Sequence, residues 1–266
     1  MSDWINIKDR VYIVTGASSG IGASIATELL KVGAKVIDAD LNPSKIKNNN
    51  FIFIKTDVTK KDQVDRLVQK AVDKFGKIDG VVNVAGIDIP GLLVDAEHPD
   101  SKYTIKEDVF DKMFNVNVKS IYLVSQAVGK HLVKNGKGVI VNMSSVSGLD
   151  GSQGQSIYAA TKGAIDGLTN SWAKELGKYN IRVIGVAPGI MEATGLRTNA
   201  YEEALAYTRG ITVDQLRKGY KSRLTVPLGR SGKLSEVADL ITYLLSDRAS
   251  YLTGLTVSIS GGKSRG

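Results

Sequence analysis

The chain has 266 residues, of which 42% are hydrophobic and 23% charged, a composition typical of a globular protein. No apolar run approaches the roughly 20 residues that span a bilayer, and the length suits a single α/β domain covering residues 1–266. The sequence contains no cysteine, which excludes disulfides and thiolate metal sites, and its two histidines lie far apart. We therefore expect no metal centre.

The formal charge of +8 does not by itself indicate a nucleic-acid partner. The 35 lysines and arginines are spread along the chain without an aromatic platform beside them. Solvated helix faces, or attraction of a small anionic substrate, explain the excess better. Residues 1–6 lack the basic start and apolar core of a secretory signal. We expect a cytoplasmic protein that binds neither nucleic acid nor a membrane.

Short β-branched apolar runs alternate with longer amphipathic stretches along the chain. The runs predict seven strands, at residues 11–14, 36–37, 51–54, 81–82, 139–141, 181–186 and 255–259. The stretches between them predict helices at 20–32, 60–75, 106–134, 155–178 and 235–246. This alternation indicates a doubly wound, Rossmann-type parallel sheet with helices on both faces, and ligands at the carboxyl ends of its strands.

A glycine-rich turn follows the first predicted strand at residues 15–22, in the order Thr-Gly-Ala-Ser-Ser-Gly-Ile-Gly. Because glycine has no Cβ, the backbone can turn tightly there and approach a pyrophosphate, which the N-terminus of the following helix attracts. A strand-to-helix turn without a ligand is the alternative. The residues predicted to hold the phosphates are Gly16, Ser18, Ser19, Gly20, Ile21 and Gly22.

An acidic residue follows at the end of the second strand. Asp40 stands 18 residues after Gly22, close to the roughly 20-residue offset at which a carboxylate accepts hydrogen bonds from an adenosine ribose. A carboxylate there repels the 2′-phosphate of NADP, and no arginine or lysine stands within the glycine motif or just after Asp40. The pattern favours NAD. Asp38, within the strand, is the competing candidate.

Three polar residues near the fifth strand carry acid–base chemistry. Tyr158 and Lys162 are four residues apart in a predicted helix, so both side chains can project from one face. Lowering a phenol pKa from ~10 to near pH 8 takes roughly 2.7 kcal/mol, and an ammonium about 4 Å away supplies up to around 4 kcal/mol. We therefore expect Lys162 to lower the pKa of Tyr158. Ser145, at the end of the fifth strand, is expected to hold the substrate oxygen.

Two stretches do not fit the repeating strand–helix unit, namely residues 87–103 and the polar segment 190–228. Insertions at strand ends are where specificity usually resides. The second stretch mixes arginines and lysines with tyrosines and shows helix-like spacing. We interpret it as a substrate lid, with a solvated helical pair as the alternative.

Together these residues resemble the short-chain dehydrogenase/reductase family over essentially the whole chain. The resemblance rests on the glycine turn at 15–22, Ser145 standing 13 residues before Tyr158, Lys162, and Pro188-Gly189 after the sixth strand. It implies an NAD-dependent oxidoreductase that assembles as a homo-oligomer, a tetramer or a dimer. The catalytic set would be Asn117, Ser145, Tyr158 and Lys162.

The resemblance also implies roles for further residues. Asn117 would anchor a water in the proton relay, with Asn115 as the alternative assignment. Thr194 would contact the nicotinamide carboxamide or the phosphates. The segment at 83–86 departs from the family pattern only at its second residue, Val84. The remaining residues that would border the cofactor are Asp57, Val58, Asn83, Ala85, Gly86, Tyr158, Lys162, Pro188 and Gly189.

The rim and lid segments at 148–156, 188–198, 201–206 and 261–266 resemble, more narrowly, the group within the family that oxidises D-sorbitol 6-phosphate. The implied reaction is reversible hydride transfer from carbon 2 to NAD, giving D-fructose 6-phosphate. Forked arginine contacts suit the substrate phosphate. The expected substrate-binding residues are Ser145, Gln153, Glu192, Arg197, Arg209 and Arg223, with Lys263 or Arg265 from the tail. Asp150 and His98 are further candidates for contact with the polyol hydroxyls. For Asp150, Gln153, Glu192 and His98, solvation at the rim is the alternative.

Two other functions remain open at this point. In the first, the enzyme acts on another polyol, on another ketose phosphate or on an acyl thioester, since the lid decides specificity within the family. Alternatively, the protein is a catalytically silent, dinucleotide-gated binding protein. The intact Ser145, Tyr158 and Lys162 count against the second alternative.

Overall fold

The computed structural model describes residues 4–263 and contains one seven-stranded parallel sheet. The strands lie in the order β3-β2-β1-β4-β5-β6-β7, so the chain reverses direction across the sheet between β1 and β4. This is the doubly wound arrangement predicted above. The strands are β1 (Val11–Thr15), β2 (Lys35–Asp40), β3 (Phe51–Lys55), β4 (Gly80–Asn83), β5 (Gly138–Met143), β6 (Ile181–Pro188) and β7 (Thr256–Ile259).

Helices connect the strands and cover both faces of the sheet. They are α1 (Gly20–Lys31), α2 (Lys61–Phe75), α3 (Glu107–Phe114), α4 (Ser120–Asn135), α5 (Val146–Asp150), α6 (Ser156–Leu176), α7 (Asn199–Thr208), α8 (Val213–Gly219) and α9 (Leu234–Leu245). Among the described residues, 4–263, no helix is both long and apolar enough to cross a bilayer.

The core consists of two apolar layers, one on each face of the sheet. Along β1, Tyr12 and Val14 pack with residues of α1 and α9, while Val11 and Ile13 pack with residues of α2 and α4. Successive side chains of a strand point to opposite faces, so a strand covered on both faces must be apolar throughout. All five residues of β1 are accordingly buried.

The predicted continuous helix at 106–134 is interrupted. Between α3 and α4 the chain makes one wide π-helical turn, Asn115–Lys119, in which the Ser120 amide donates to the Asn115 carbonyl. The helical periodicity of the sequence runs through this turn without a break, which is why the pattern missed it. The turn leaves Asn117 fully buried, and turns of this kind recur at functional sites.

Residues 190–228 contain two short helices, α7 and α8, with a small apolar core of their own. Leu205, Ala206 and Leu216 form that core, and Tyr201 and Tyr220 pack against it. The Thr212 hydroxyl and the Gln215 side chain cap the start of α8 reciprocally. The segment is therefore ordered by its own packing and rests beside the carboxyl ends of the strands.

Candidate active site

The predicted motifs converge on one cleft of about 620 Å³ at the carboxyl ends of the strands. This is the edge where doubly wound sheets bind ligands. Nearly all residues predicted to border a cofactor line it: Gly16, Ser19, Gly20, Ile21, Gly22, Asp40, Asp57, Val58, Ala85, Gly86, Tyr158, Lys162, Pro188, Gly189 and Thr194. Ser145 lines it as well.

The glycine turn has room for backbone only. Gly16 has φ +70°, and a Cβ there would lie 3.1 Å from the Ala85 Cα. A Cβ on Gly22 would lie 2.1 Å from the Gly16 carbonyl oxygen, closer than any real contact. The turn therefore leaves amide N–H groups at the start of α1 facing the cleft, which suits a phosphate group.

The two acidic residues of β2 have different roles. Asp38 is fully buried and braces the glycine turn, accepting hydrogen bonds from the Ala17 amide at 3.2 Å and the Ser18 hydroxyl at 2.7 Å. Burial raises its pKa to about 6. Asp40 lies at the strand end on the cleft wall, where it accepts from the Ser18 amide at 3.2 Å. The Ser18 hydroxyl donates to Asp38, and Ser18 does not line the cleft.

We predict that Asp40→Ala lowers kcat/KM for NAD by about 10- to 100-fold, because a charge-assisted hydrogen bond contributes roughly 1.5–3 kcal/mol. The ratio of activity with NADP to activity with NAD is expected to rise, since the repelling carboxylate is gone. Kinetics with both cofactors measure it. Asp38→Asn is the control, because it also removes a carboxylate but from behind the glycine turn, and it should leave the NADP-to-NAD activity ratio unchanged. An unchanged ratio in Asp40→Ala would contradict the prediction.

Asn83 lies behind the cleft, outside its wall. Its side-chain amide donates at 2.9 Å to both Ser125 Oγ and Asn142 Oδ1, and the residue is buried between β4, β5 and α4. The Thr15 hydroxyl accepts from the amides of Val84 and Ala85. Together these contacts hold the segment after β4, whose Ala85 and Gly86 form part of the wall.

Ser145, Tyr158 and Lys162 meet at the end of β5. Ser145 precedes α5, and its Oγ accepts from the Ser147 amide at 3.2 Å. Lys162 is buried on α6, one turn after Tyr158, with its Nζ 5.5 Å from the Tyr158 ring centroid. The Lys162 ammonium also donates to the Met143 carbonyl at 2.7 Å. The last residue of β5 thus fixes the lysine beside the tyrosine.

The expectation that Lys162 lowers the pKa of Tyr158 is wrong for this cleft. Burial raises the pKa of Tyr158 well above its usual range, Asp88 raises it further, and a hydrogen bond with Ser145 only partly opposes them. Burial also lowers the pKa of Lys162 to about 8. Enclosure disfavours both the phenolate of Tyr158 and the ammonium of Lys162. The argument from sequence considered only the attraction between these two charges and omitted their desolvation.

The π turn brings Asn117 next to Thr161, the residue before Lys162. Its Oδ1 accepts from the Ile87 amide and its Nδ2 donates to the Ile87 carbonyl, both at 2.8 Å. The Nδ2 also donates to Thr161 Oγ1 at 3.1 Å, one residue before Lys162. Asn117 therefore ties the segment after β4 to α6, and its part in a proton relay stays a prediction.

The predicted substrate residues separate into two groups. Ser145 lines the cleft, and Arg209 donates to Ser152 Oγ and to Gln155 Oε1, beside Asp88. The others have partners elsewhere in the fold. The Gln153 amide donates to the Thr208 carbonyl, and Glu192 accepts from the Leu234 amide at the start of α9. Arg197 stacks on the Tyr220 ring at 4.1 Å and donates to the Met191 carbonyl. Arg223 packs against Gly229, and His98 lies beside Tyr207. Arg265 lies outside the described residues.

One polar group beside the site was missed from the sequence. Asp88 accepts hydrogen bonds from the Gln155 amide and the Tyr201 hydroxyl, and its charge acts on both Tyr158 and Lys162. The available signal was the position of Asp88, two residues after the Gly86 motif, at the start of a stretch already singled out for specificity.

The residues present fit a dinucleotide. The glycine turn is packed so tightly that a Cβ on Gly22 would collide with the Gly16 carbonyl, Asp40 offers a carboxylate at the next strand end, and Tyr158 and Lys162 line the same cleft. The walls are otherwise largely apolar or backbone, as cofactor clefts usually are.

Comparison with known proteins agrees with this geometry. Residues 10–205 match the family model described as short chain dehydrogenase. The chain is 54% identical to the sorbitol-6-phosphate 2-dehydrogenase of Klebsiella pneumoniae, with all of both chains covered. It is 39% identical to a 3-oxoacyl-[acyl-carrier-protein] reductase of Thermotoga maritima, with 97% of this chain and 99% of the relative covered.

Solved structures give the same result. The 3-ketoacyl-(acyl-carrier-protein) reductase of Brucella melitensis complexed with NADH superposes with a TM-score of 0.82 at 28% identity, covering 98% of this chain and 100% of that one. The ligand-free aldohexose dehydrogenase of Thermoplasma acidophilum superposes with a TM-score of 0.83 at 29% identity, covering 98% and 97%. The chain therefore belongs to the short-chain dehydrogenase family and is an NAD-dependent oxidoreductase.

Proposed function

We propose that the protein transfers hydride reversibly between carbon 2 of D-sorbitol 6-phosphate and NAD, giving D-fructose 6-phosphate. The observation that carries this proposal is the 54% identity to the Klebsiella pneumoniae relative over the entire chain, lid included. Bound NAD supplies the hydride acceptor. The residues of the chain bind and orient the polyol and move the proton of its reacting hydroxyl.

Tyr158 takes the hydroxyl proton in oxidation and returns it in reduction. Enclosure in the cleft favours the neutral phenol, the form that donates the proton in reduction. In oxidation the phenol first releases its own proton to solvent, and the resulting phenolate accepts the proton of the polyol hydroxyl. Ser145, hydrogen-bonded to Tyr158, holds that oxygen in place. The Lys162 ammonium, held by the Met143 carbonyl, stabilises the negative charge that develops on the phenol oxygen. Asn117 keeps the lysine-bearing helix against the segment that follows β4.

The substrate phosphate is proposed to bind Arg209 and Lys263. Within residues 4–263, Arg209 donates only to neutral groups, to Ser152 Oγ and Gln155 Oε1 at 3.2 Å each and to the Gln153 carbonyl at 3.4 Å. Lys263 is half-buried, and its pKa is lowered first by burial and then by the nearby charge of Arg209, with Asp150 opposing. Two cations held close together at the cost of mutual repulsion suit a dianionic phosphate. By contrast, Arg217 and Arg230 are paired with glutamates.

Arg209→Ala is expected to raise KM for D-sorbitol 6-phosphate by about 10- to 100-fold, because the variant loses charge-assisted hydrogen bonds to phosphate. KM for unphosphorylated sorbitol is expected to stay within about twofold. Steady-state kinetics with the two polyols measure the difference. Lys218→Ala, an exposed cation of the same lid, is the matched control and should affect neither. Equal losses for both polyols in Arg209→Ala would contradict the phosphate site.

The function itself is tested by following NADH absorbance after NAD and D-sorbitol 6-phosphate are added, with mannitol 1-phosphate and free sorbitol as controls. Turnover of the sorbitol phosphate well above both controls supports the proposal. NAD binding without turnover would favour the silent binding protein. Because a relative at 39% identity is an acyl-carrier-protein reductase, an acetoacetyl thioester with NADH is included. Faster turnover of that thioester would overturn the proposal.

We further propose that the protein works in the cytoplasm as a homo-oligomer, with a tetramer favoured over a dimer. The family resemblance supports the assembly, and the helical stretches 106–134 and 155–178, which contain α3, α4 and α6, are the expected contact surfaces. Light scattering coupled to size exclusion measures the mass directly. A monomer at assay concentration would contradict the assembly.

A further inference from the structure

Asp88 is held beside the catalytic pair with one carboxylate oxygen unused. Its Oδ2 accepts from the Gln155 amide and from the Tyr201 hydroxyl at 3.0 Å. Its Oδ1 is enclosed and has no hydrogen-bond donor anywhere in the part of the chain that the structure describes. Leaving a buried acceptor unpaired costs free energy, and more so for a charged group, so such an oxygen requires a partner.

The carboxylate is coupled both to the reacting centre and to the proposed phosphate site. On one side its charge acts on Tyr158 and Lys162. On the other side Gln155 bridges it to Arg209, donating through Nε2 to Asp88 and accepting through Oε1 at 3.2 Å from the guanidinium. A substrate that contacts both Tyr158 and Arg209 would therefore be held by two groups to which Asp88 is coupled.

The surrounding groups fix the orientation of the side chain. The two donors on Oδ2 hold one rotamer, and the Gln155 amide also reaches the Tyr201 hydroxyl at 3.1 Å. Burial raises the pKa of Asp88 to about 6, while Gln155, Tyr201, Lys162 and Arg209 all favour the ionised form. Near neutral pH the carboxylate is therefore ionised and is an acceptor only. A polyol hydroxyl is the donor that complements it.

We propose that Asp88 Oδ1 accepts a hydrogen bond from the hydroxyl on carbon 3 of the substrate, the carbon next to the reacting one on the phosphate side. This inference rests on the proposed function. It makes Asp88 a specificity-determining residue that selects polyol phosphates. An acyl thioester has no hydroxyl at that position, so it would leave the buried carboxylate without a donor.

The test compares D-sorbitol 6-phosphate with its 3-deoxy and 1-deoxy analogues in the chain as it stands and in Asp88→Ala. The unchanged protein is expected to prefer the parent over the 3-deoxy analogue by about 10- to 100-fold in kcat/KM, the value of a hydrogen bond to a charged group. In Asp88→Ala that preference is expected to fall below about threefold. The preference over the 1-deoxy analogue should not change.

Asp166→Asn is the matched control. Asp166 is also partly buried and acts electrostatically on Lys162, but both its oxygens already accept hydrogen bonds, from Ser144 and Thr256. This variant should keep the full preference for the parent over the 3-deoxy analogue. Asp88→Asn, which keeps the shape of the side chain, guards against misfolding and is expected to show an intermediate preference. NADH fluorescence titration establishes that each variant is folded.

The outcomes separate the inference from the function on which it rests. If the unchanged chain does not oxidise the sorbitol phosphate, the proposed function and this inference both fail. If it does, but Asp88→Ala slows the parent and the 3-deoxy analogue equally, the carboxylate has only a structural role or holds a water, and the inference alone fails. A loss of preference confined to the 1-deoxy analogue would also overturn it.

Discussion

Tyr158→Phe is expected to lower kcat by about 10²- to 10⁴-fold in both directions, which is the range that a positioned general acid–base supplies. In the proposed function the phenol exchanges a proton with the substrate oxygen, and phenylalanine keeps the ring but not the proton. The affinity for NADH is expected to stay within about threefold, since the wall of the cleft keeps its shape. Single-turnover absorbance and NADH fluorescence titration measure the two quantities.

A second buried tyrosine provides the control. Tyr12 lies in β1, where its hydroxyl donates to the Leu245 carbonyl at 3.3 Å, on the side of the sheet that α1 and α9 cover. Tyr12→Phe removes the same atom and should leave kcat within about twofold. A comparable loss in both variants would mean that the hydroxyl of Tyr158 acts through stability rather than chemistry. Residual activity above about one tenth in Tyr158→Phe would remove it from the proton transfer.

The second large effect is expected for Lys162→Met, which should lose activity without a matching loss of stability. The variant is expected to lose about 10²- to 10³-fold in kcat, the usual cost of removing one preorganised electrostatic group. Methionine has a similar length without the charge, so the desolvation that lowers the pKa of the lysine to about 8 disappears. Removing a charge that the fold disfavours should offset the lost hydrogen bond to Met143.

The pH dependence of stability gives that argument a sign. Because the pKa of Lys162 is lowered from 10.5 to about 8 on folding, the unfolded chain holds more protons on this side chain between these pH values. The free energy of unfolding contributed by Lys162 therefore rises with pH across that window. From about pH 7.5 to about pH 10 the unchanged protein should gain about 2 kcal/mol relative to Lys162→Met.

Urea unfolding of both proteins across this pH range measures the difference directly, and other titrating groups cancel between them. A difference that is flat with pH would show that Lys162 titrates as an exposed lysine does. A difference that grows in favour of the variant as pH rises would reverse the sign and contradict the buried ammonium.

The sheet and the cofactor cleft were predictable because their determinants are local. A strand buried on both faces is mostly apolar, and a backbone that approaches phosphate needs glycine at positions such as Gly16 and Gly22, whatever the rest of the chain does. The parallel order then brings the strand ends to one edge. Asp40 and Tyr158 both line the cleft at that edge, as their positions at predicted element ends indicated.

The substrate side was predicted less well, because it depends on which of several similar side chains meet across the fold. The lid contains Arg197, Arg209, Arg217 and Arg223, and nothing in their local sequence separates the one beside Gln155 from those that stack, pair or face water. Asp88 was missed for the same reason. Its partners lie 67 and 113 positions further along the chain.

By itself, the sequence determined the order of elements, the dinucleotide turn and the Ser145, Tyr158 and Lys162 set, since each follows from periodicity or from a fixed short spacing. Only the tertiary structure decided the π turn that buries Asn117, the protonation preferences of Tyr158 and Lys162, and the line from Asp88 through Gln155 to Arg209. Those properties depend on burial and on contacts between distant segments, and both are set by packing rather than by any local pattern.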